Sequence, residues 1–345
     1  MIEIDGSIGG GQLLRTAIGL STLTTKPVRI TNIRKGKKDS RHGLRPQHLT
    51  AVKVIGEFCQ AEIKGLEENS LEVEFTPKRL NVTDKRIDIG TAGNIGLLLQ
   101  ALNPLLIFGK RSVILEMSGG TETKWAPTIQ YIKYVTYPLI NKMGSNLTLN
   151  ILRHGYYPKG GGLVTVESQP TKKMSPFVCL DRGEIQSIHI HSFCGSLPPH
   201  VAERQGQSTL RTIKYHYPKL KISMSYESVK SPSPGSSVTC YAICESSILG
   251  GSALGERGIR AEKVGEFAAE DLLCSLKSDA VLDKYMADQI LVYLALAEGK
   301  SKVRVEGITD HCRTNIRVIE EILPVMFDID EEKKEITVEG IGFKL

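Results

Sequence analysis

The chain has 345 residues, 41% of them hydrophobic, with 44 basic and 38 acidic side chains and a net charge of +6. That length predicts one large globular domain or two smaller ones, and no run of apolar residues is long enough to suggest a membrane span. The mild positive charge suits a nucleotide or nucleic-acid substrate without requiring one; the seven scattered cysteines form no CxxC pair, which argues against a zinc site or a disulfide framework.

Met1 runs directly into the strand-like IEI without a basic start or an apolar signal region, so a cytoplasmic protein is expected. The next stretch, DGSIGGGQLLR (Asp5 to Arg15), is a glycine cluster between a strand and a helix starting near Gln12. Its backbone amides are placed to approach a phosphate, with Arg15 one turn along. It is neither a Walker loop nor a GxGxxG fingerprint, and a tight turn is the plain alternative. The strand PVRITNI follows, then a connection, Ile33 to Leu49, carrying Arg34, Lys35, Lys37, Lys38, Arg41 and Arg45. Such a cluster neutralises phosphates, and its arginines chelate them bidentately; a solvated basic face is the alternative. The helix HLTAVKVIGEFC then places Leu49, Val52, Ile55 and Cys59 on one face before the strand AEIKGL.

The same order recurs twice. GLLLQALNPLLIF leads to SVILEM, to the loop GGTETKWAP, and to a helix from Thr128 to Lys142 with Ile129, Ile132, Val135 and Leu139 in register, where Pro138 is expected to introduce a kink. NLTLNIL closes this unit, and RHGYYPKGGG (Arg153 to Gly162) borders it, its tyrosines suited either to packing or to stacking on bases. Residues from about 183 to 278 do not fit the repeat. They read as strand, helix, strand, strand and helix, with a Gly-rich loop before the last helix, a compact inserted α/β domain. The third unit runs from KYMADQILVYLALAEG to KVRVEG, then a helix ending at Pro324, then KEITVEGIGF. Three helix–strand–helix–strand units imply helices packed on sheets around one centre. The division expected is 1–183 plus 278–345 for the core and 184–277 for the insert.

The last of the three strand-to-helix connections holds the most chemistry. Thr309 and Asp310 suit an N-cap, which puts His311 in the first turn, while Cys312, Ile316, Ile319 and Leu323 form the buried stripe. A helix start disfavours imidazolium and attracts anions, so His311 is suited to accept a phosphoryl or nucleotidyl group. An exposed histidine at a helix start is the plain alternative. Asp288 suits a metal or a ribose, and Tyr285 suits packing on a purine.

Read together, GGGQLLR, GLRPQHLTAV, GTAGN with LLLQALNPLL, GGTETKWAP, RHGYYPKGGG, ADQ and HCRTNI occur in one order along nearly the whole chain, and with them the chain resembles the RNA 3′-terminal phosphate cyclases. The resemblance implies an α/β fold of three repeated units, each two helices on a four-stranded sheet, like the enolpyruvyl transferase and initiation-factor C-terminal fold, with a smaller inserted α/β domain. It implies ATP as substrate, a divalent cation (Mg or Mn), an RNA with a 3′-terminal phosphate as partner, no membrane, and a possible homodimer. By the same resemblance His311 is the nucleophile that takes AMP. Gln100, Pro127, Tyr285, Met286, Ala287, Asp288 and Gln289 line the ATP pocket, and Arg15, Arg34, Arg45 and Gln47 face phosphates; the metal ligands are not indicated. Two departures stand out. The first glycine loop is two residues shorter than usual, with Ile8 or Gly9 where a Glu precedes GGGQ, and the basic loop is about two residues longer, with Lys37 in place of an Arg. A non-catalytic, RNA-binding relative acting in ribosomal RNA processing is the alternative; the presence of His311 argues against it.

Overall fold

In the computed structural model, residues 1–35, 42–90 and 92–345 are described, so Lys37, Lys38 and Arg41 of the basic loop lie outside the described residues. The first unit comprises β1 (Ile2–Asp5), α1 (Gly11–Thr24), β2 (Val28–Thr31), α2 (Pro46–Cys59), β3 (Glu62–Lys64) and β4 (Val73–Thr76). The second comprises β5 (Lys85–Asp88), α3 (Ile95–Ile107), β6 (Val113–Gly119), α4 (Ile129–Tyr131) continued through a π turn (Ile132–Thr136) into α5 (Tyr137–Lys142), β7 (Asn146–Arg153) and β8 (Gly162–Gln169). The third opens with β9 (Val178–Cys179) and is interrupted by β10 (Ile185–Gly195), α6 (His200–His216), β11 (Ile222–Val229), β12 (Gly235–Cys244), β13 (Ile248–Leu254) and α7 (Ala261–Lys277). It resumes with α8 (Lys284–Gln289), α9 (Leu291–Leu296), β14 (Glu298–Arg304), α10 (Asp310–Ile322), β15 (Phe327–Asp330) and β16 (Glu335–Ile341).

Each unit makes one four-stranded sheet with the same wiring: β1-β2-β4-β3, β5-β6-β8-β7 and β9-β14-β16-β15. In every case the first two strands run parallel across a helix and the last two form an antiparallel hairpin. The repeat is therefore β–α–β–α–β–β, one strand longer at each end than the pattern expected from sequence. Among the added strands KRID, VEFT and Val178–Cys179 are too short to carry a periodic signal, whereas β8 is long and alternates but directly follows the glycine run of RHGYYPKGGG. The interruption has its own sheet, β11-β10-β12-β13, covered by α6 and α7 around a separate apolar cluster that includes Ile188, Ile190, Leu249 and Leu272. Among the described residues no helix is long and apolar enough to cross a membrane.

Three local expectations change. ILGGSAL, read as part of a Gly-rich loop, is strand β13. Its glycines are required by packing, since a Cβ on Gly250 would strike the Tyr131 ring and one on Gly251 the α7 backbone at Leu272. The run from Lys284 is two short helices broken at Ile290, and β14 begins at Glu298, inside the stretch read as helix. Pro138 lies just after a π turn in which Tyr137 N–H bonds the Ile132 carbonyl, so the missing proline donor is absorbed by an extra residue in the turn. The predicted stripes are buried: Val52, Ile55 and Cys59 on α2, Ile129 to Leu139 on the second helix, and Cys312, Ile316, Ile319 and Leu323 at the third. They share one core, in which α1 packs against α2, α3 and α10, so the helices of all three units meet at the molecule's centre.

Candidate functional site at the junction of the three units

Thr309 caps α10, its hydroxyl accepting the Cys312 N–H at 3.1 Å, and His311 stands exposed in the first turn. Facing it is the first turn of α1. The Gln12 side chain bridges two partners there: its Nε2 donates to Asp288 Oδ2 at 2.7 Å, and its Oε1 meets His311 Nδ1. An amide oxygen only accepts, so this contact requires the proton on Nδ1 and leaves the lone pair on Nε2. A carboxylate, an amide and an imidazole in series thus fix the histidine tautomer much as a second group orients the base in hydrolytic triads. Burial pushes the Asp288 carboxyl up to about 7, against the opposing effects of the Gln12 hydrogen bond and the Arg15 charge.

One turn further into α1, Arg15 is 9% exposed and donates to Gln100 Oε1 on α3 at 3.0 Å, while its Nε is buried without a partner. Burial lowers its guanidinium to about 10, leaving it cationic at neutral pH. Thr16, Asn315 and the Asp288 carbonyl extend the network: Thr16 Oγ1 donates to Asn315 Oδ1 at 3.0 Å and Asn315 Nδ2 to the Asp288 oxygen at 2.9 Å. Thr16 and Asn315 line a cavity of about 30 Å³ together with Gln12, Arg15, Gln100 and Gln289, at the meeting point of α1, α3, α8 and α10.

The basic connection lies on the other side of α1. His48 is 1% exposed; its Nδ1 accepts the Arg45 backbone N–H at 3.1 Å, and its Nε2 has no hydrogen-bond partner. Burial, with the charges of Arg15, Arg34 and Arg45 behind it, depresses the ring to about 3, so His48 is neutral and brings three of the predicted phosphate residues around one point. A Cβ at Gly11 would collide with the His48 ring, which explains why the helix starts on a glycine. Gly9 likewise lies against Thr314, packing the shortened loop on the first turns of α10. Arg45 also reaches Asn69 Oδ1 at 3.0 Å, Arg34 holds a left-handed turn at φ 58°, and Gln47 is half-buried on α2.

Of the residues assigned to ATP, Tyr285 is 38% exposed and edge-on to Tyr131, with ring centres 6.0 Å apart. Gln289 Nε2 donates to the Tyr285 carbonyl at 2.8 Å, and Pro127 precedes the Thr128 cap of α4. The side chains of Met286 and Ala287 are fully buried in the core, so they support the helix and only their backbone remains for a ligand. The tyrosines of RHGYYPKGGG divide: Tyr156 is buried with its hydroxyl 3.1 Å from Ser237 of the insert, whereas Tyr157 is 76% exposed.

Sequence reading missed Gln12, His48, Thr16 and Asn315. GGGQLLR and GLRPQHL contained the first two, but a glutamine and a histidine within helices give no pattern of their own; their roles depend on partners distant in sequence. Among the described residues, no group of three His, Cys, Asp or Glu side chains is arranged to hold a metal ion.

The profile of the family described as RNA 3′-terminal phosphate cyclase matches residues 7–329. A protein of that name from Ignicoccus hospitalis is 42% identical over 330 residues, covering 94% of this chain and 93% of its own. One from Methanopyrus kandleri is 42% identical over 348 residues, covering 98% of both chains, and one from Pyrococcus furiosus is 40% identical over 343 residues, again covering 98% of both. The chain therefore belongs to the RNA 3′-terminal phosphate cyclase family.

Proposed function

We propose that the chain is an ATP-dependent RNA 3′-terminal phosphate cyclase that acts through an AMP carried covalently on His311. The observation that carries this reading, within a chain of this family, is the Asp288–Gln12–His311 series, which sets a nucleophilic tautomer at a helix start. In this reaction His311 Nε2 attacks the α-phosphorus of ATP; the N–P bond forms as the bond to pyrophosphate breaks. An oxygen of the RNA 3′-phosphate then displaces His311, giving an RNA(3′)pp(5′)A end. The neighbouring 2′-hydroxyl attacks the 3′-phosphorus, closes the 2′,3′-cyclic phosphate and expels AMP.

The protein's part is positioning and charge. Gln12 holds Nδ1–H so that the positive charge formed on attack is stabilised from behind by Asp288. Arg15, Arg34 and Arg45, with Gln47, meet phosphate oxygens, and the neutral His48 stands among the three arginines without adding charge, accepting the Arg45 backbone N–H. Tyr285 and Pro127 offer apolar surface to the purine, with Gln100 and Gln289 at its polar edges. Among the described residues no three His, Cys, Asp or Glu side chains are arranged as a metal cage. A divalent cation would bind with the triphosphate and offset its charge.

An RNA bearing a 3′-terminal phosphate, incubated with ATP and Mg, should acquire a phosphatase-resistant cyclic end and release AMP and pyrophosphate. No conversion, or conversion without ATP, contradicts the reading. The non-catalytic alternative would leave RNA binding intact with neither product formed.

A further inference from the structure

We infer that the inserted domain holds the nucleotide-facing Tyr285 in place through Asp271, making Asp271 a positioning residue for ATP. The inference rests on the reading that Tyr285 lines the ATP pocket, and ties that pocket to a domain that otherwise carries none of its residues.

Asp271 lies on α7, with its side chain 11% exposed. Its Oδ1 accepts from the Tyr285 hydroxyl at 3.2 Å and from Lys284 Nζ at 2.6 Å, and its Oδ2 accepts the Ser252 N–H of β13 at 3.1 Å. The carboxylate is thus fixed by the insert's own backbone and reaches across to the first turn of α8. A second carboxylate makes the matching connection from the core side. Asp283, buried at the start of α8, accepts from Tyr285 N–H at 3.0 Å, Met286 N–H at 2.9 Å and the Tyr131 hydroxyl at 2.6 Å, and its other oxygen takes the Gly250 N–H of β13 at 2.8 Å. The backbone of Tyr285 is therefore tied to Asp283, its ring packs at right angles to Tyr131, and its hydroxyl is tied to Asp271.

The ring stays partly exposed although all of its hydrogen-bonding groups are held. A tyrosine that only packed would need no carboxylate from another domain. A tyrosine that presents a flat surface to a purine gains from one, because fixing its rotamers in advance removes an entropic cost from each binding event. The insert acts here as a brace: Asp271 holds the ring's hydroxyl and also the Lys284 ammonium, which lies over the ring 5.0 Å from its centre.

The test is the KM for ATP in the adenylylation half-reaction of the full-length protein, measured without RNA, for Asp271→Asn, Tyr285→Phe, the double variant and Tyr285→Ala. Deleting the hydroxyl in Tyr285→Phe, or removing the charge of its acceptor in Asp271→Asn, should raise the KM for ATP about three- to tenfold, the effect of losing or weakening one hydrogen bond to a charged group. The maximal adenylylation rate and the KM for RNA should stay within about twofold of wild type. The double variant should be no worse than Asp271→Asn alone, since the hydroxyl that Tyr285→Phe deletes has Asp271 as its partner. Tyr285→Phe leaves the insert untouched and carries the test if Asp271→Asn disturbs folding. Multiplying effects in the double variant would overturn the inference. So would normal KM values for Asp271→Asn and Tyr285→Phe beside a raised KM for Tyr285→Ala, which would leave Tyr285 in the pocket without its brace. An unchanged KM for Tyr285→Ala would overturn the underlying placement of Tyr285 as well.

Discussion

Replacing Gln12 by alanine removes the link between Asp288 and His311 while leaving both in place. Gln12 makes two hydrogen bonds, one of them 2.7 Å long to a carboxylate, and is half-buried in the first turn of α1. Groups that orient a reacting imidazole from behind are worth about 10–100-fold in activity, equal to about 1.4–2.7 kcal/mol of transition-state stabilisation. Alanine suits the helix, and the cost to the fold is limited because Asp288, with its carboxyl already raised to about 7, answers the lost donor by taking up a proton. The expected result is an adenylylation rate about 10–100-fold below wild type, with a melting temperature lowered by no more than a few degrees. Single-turnover labelling with α-labelled ATP, alongside calorimetry, measures both. A rate within twofold of wild type would refute the argument that the Gln12 amide sets the histidine tautomer.

Four more outcomes are expected. Only an ionised Asp288 is a pure acceptor for the Gln12 amide, so wild-type adenylylation should rise with pH around 7, and Asp288→Asn should lose that rise. The sign for stability is opposite: a carboxyl raised from 3.8 to about 7 is at its most stabilising below about 4 and loses that contribution as pH climbs through 7. Asp288→Asn should therefore melt higher than wild type at pH 8, and a lower melting point would contradict this. Arg45→Ala should weaken use of 3′-phosphorylated RNA and cost under about 1 kcal/mol in stability, because its side-chain contacts to Asn69 and Glu68 are at the surface; a loss of several degrees with normal activity would make it structural. Inserting Gly-Glu between Gly9 and Gly10 should lower the divalent-cation concentration for half-maximal adenylylation, by up to about 10–100-fold; an unchanged titration would show that the short loop lacks nothing.

The helices were legible in sequence because burial on one face is periodic: Cys312, Ile316 and Ile319 mark α10 so plainly that its cap and first turn, and with them His311, could be placed in advance. Strands two to four residues long offer no such pattern. β9 is only Val178–Cys179, and about a hundred residues separate it from the helix that completes its crossover. The glycines of β13 read as a loop because the reason for them, the Tyr131 ring and the α7 backbone, belongs to other parts of the chain. The site divides in the same way. Charged residues in a glycine-rich or basic loop announce themselves, whereas Gln12 and His48 act through long-range contacts: Gln12 pairs with residues 276 and 299 positions away. Family resemblance supplied roles for Tyr285 and Gln289, but not the dependence of Tyr285 on Asp271.

The covalent histidine–AMP is the central claim, and its most direct measurement compares wild type with His311→Ala after incubation with α-labelled ATP and a divalent cation. The wild-type protein should carry label that acid releases and alkali does not, as in a phosphoramidate, and the variant none, with a melting curve that matches wild type since His311 is exposed. Label retained by His311→Ala at the wild-type level would contradict that claim.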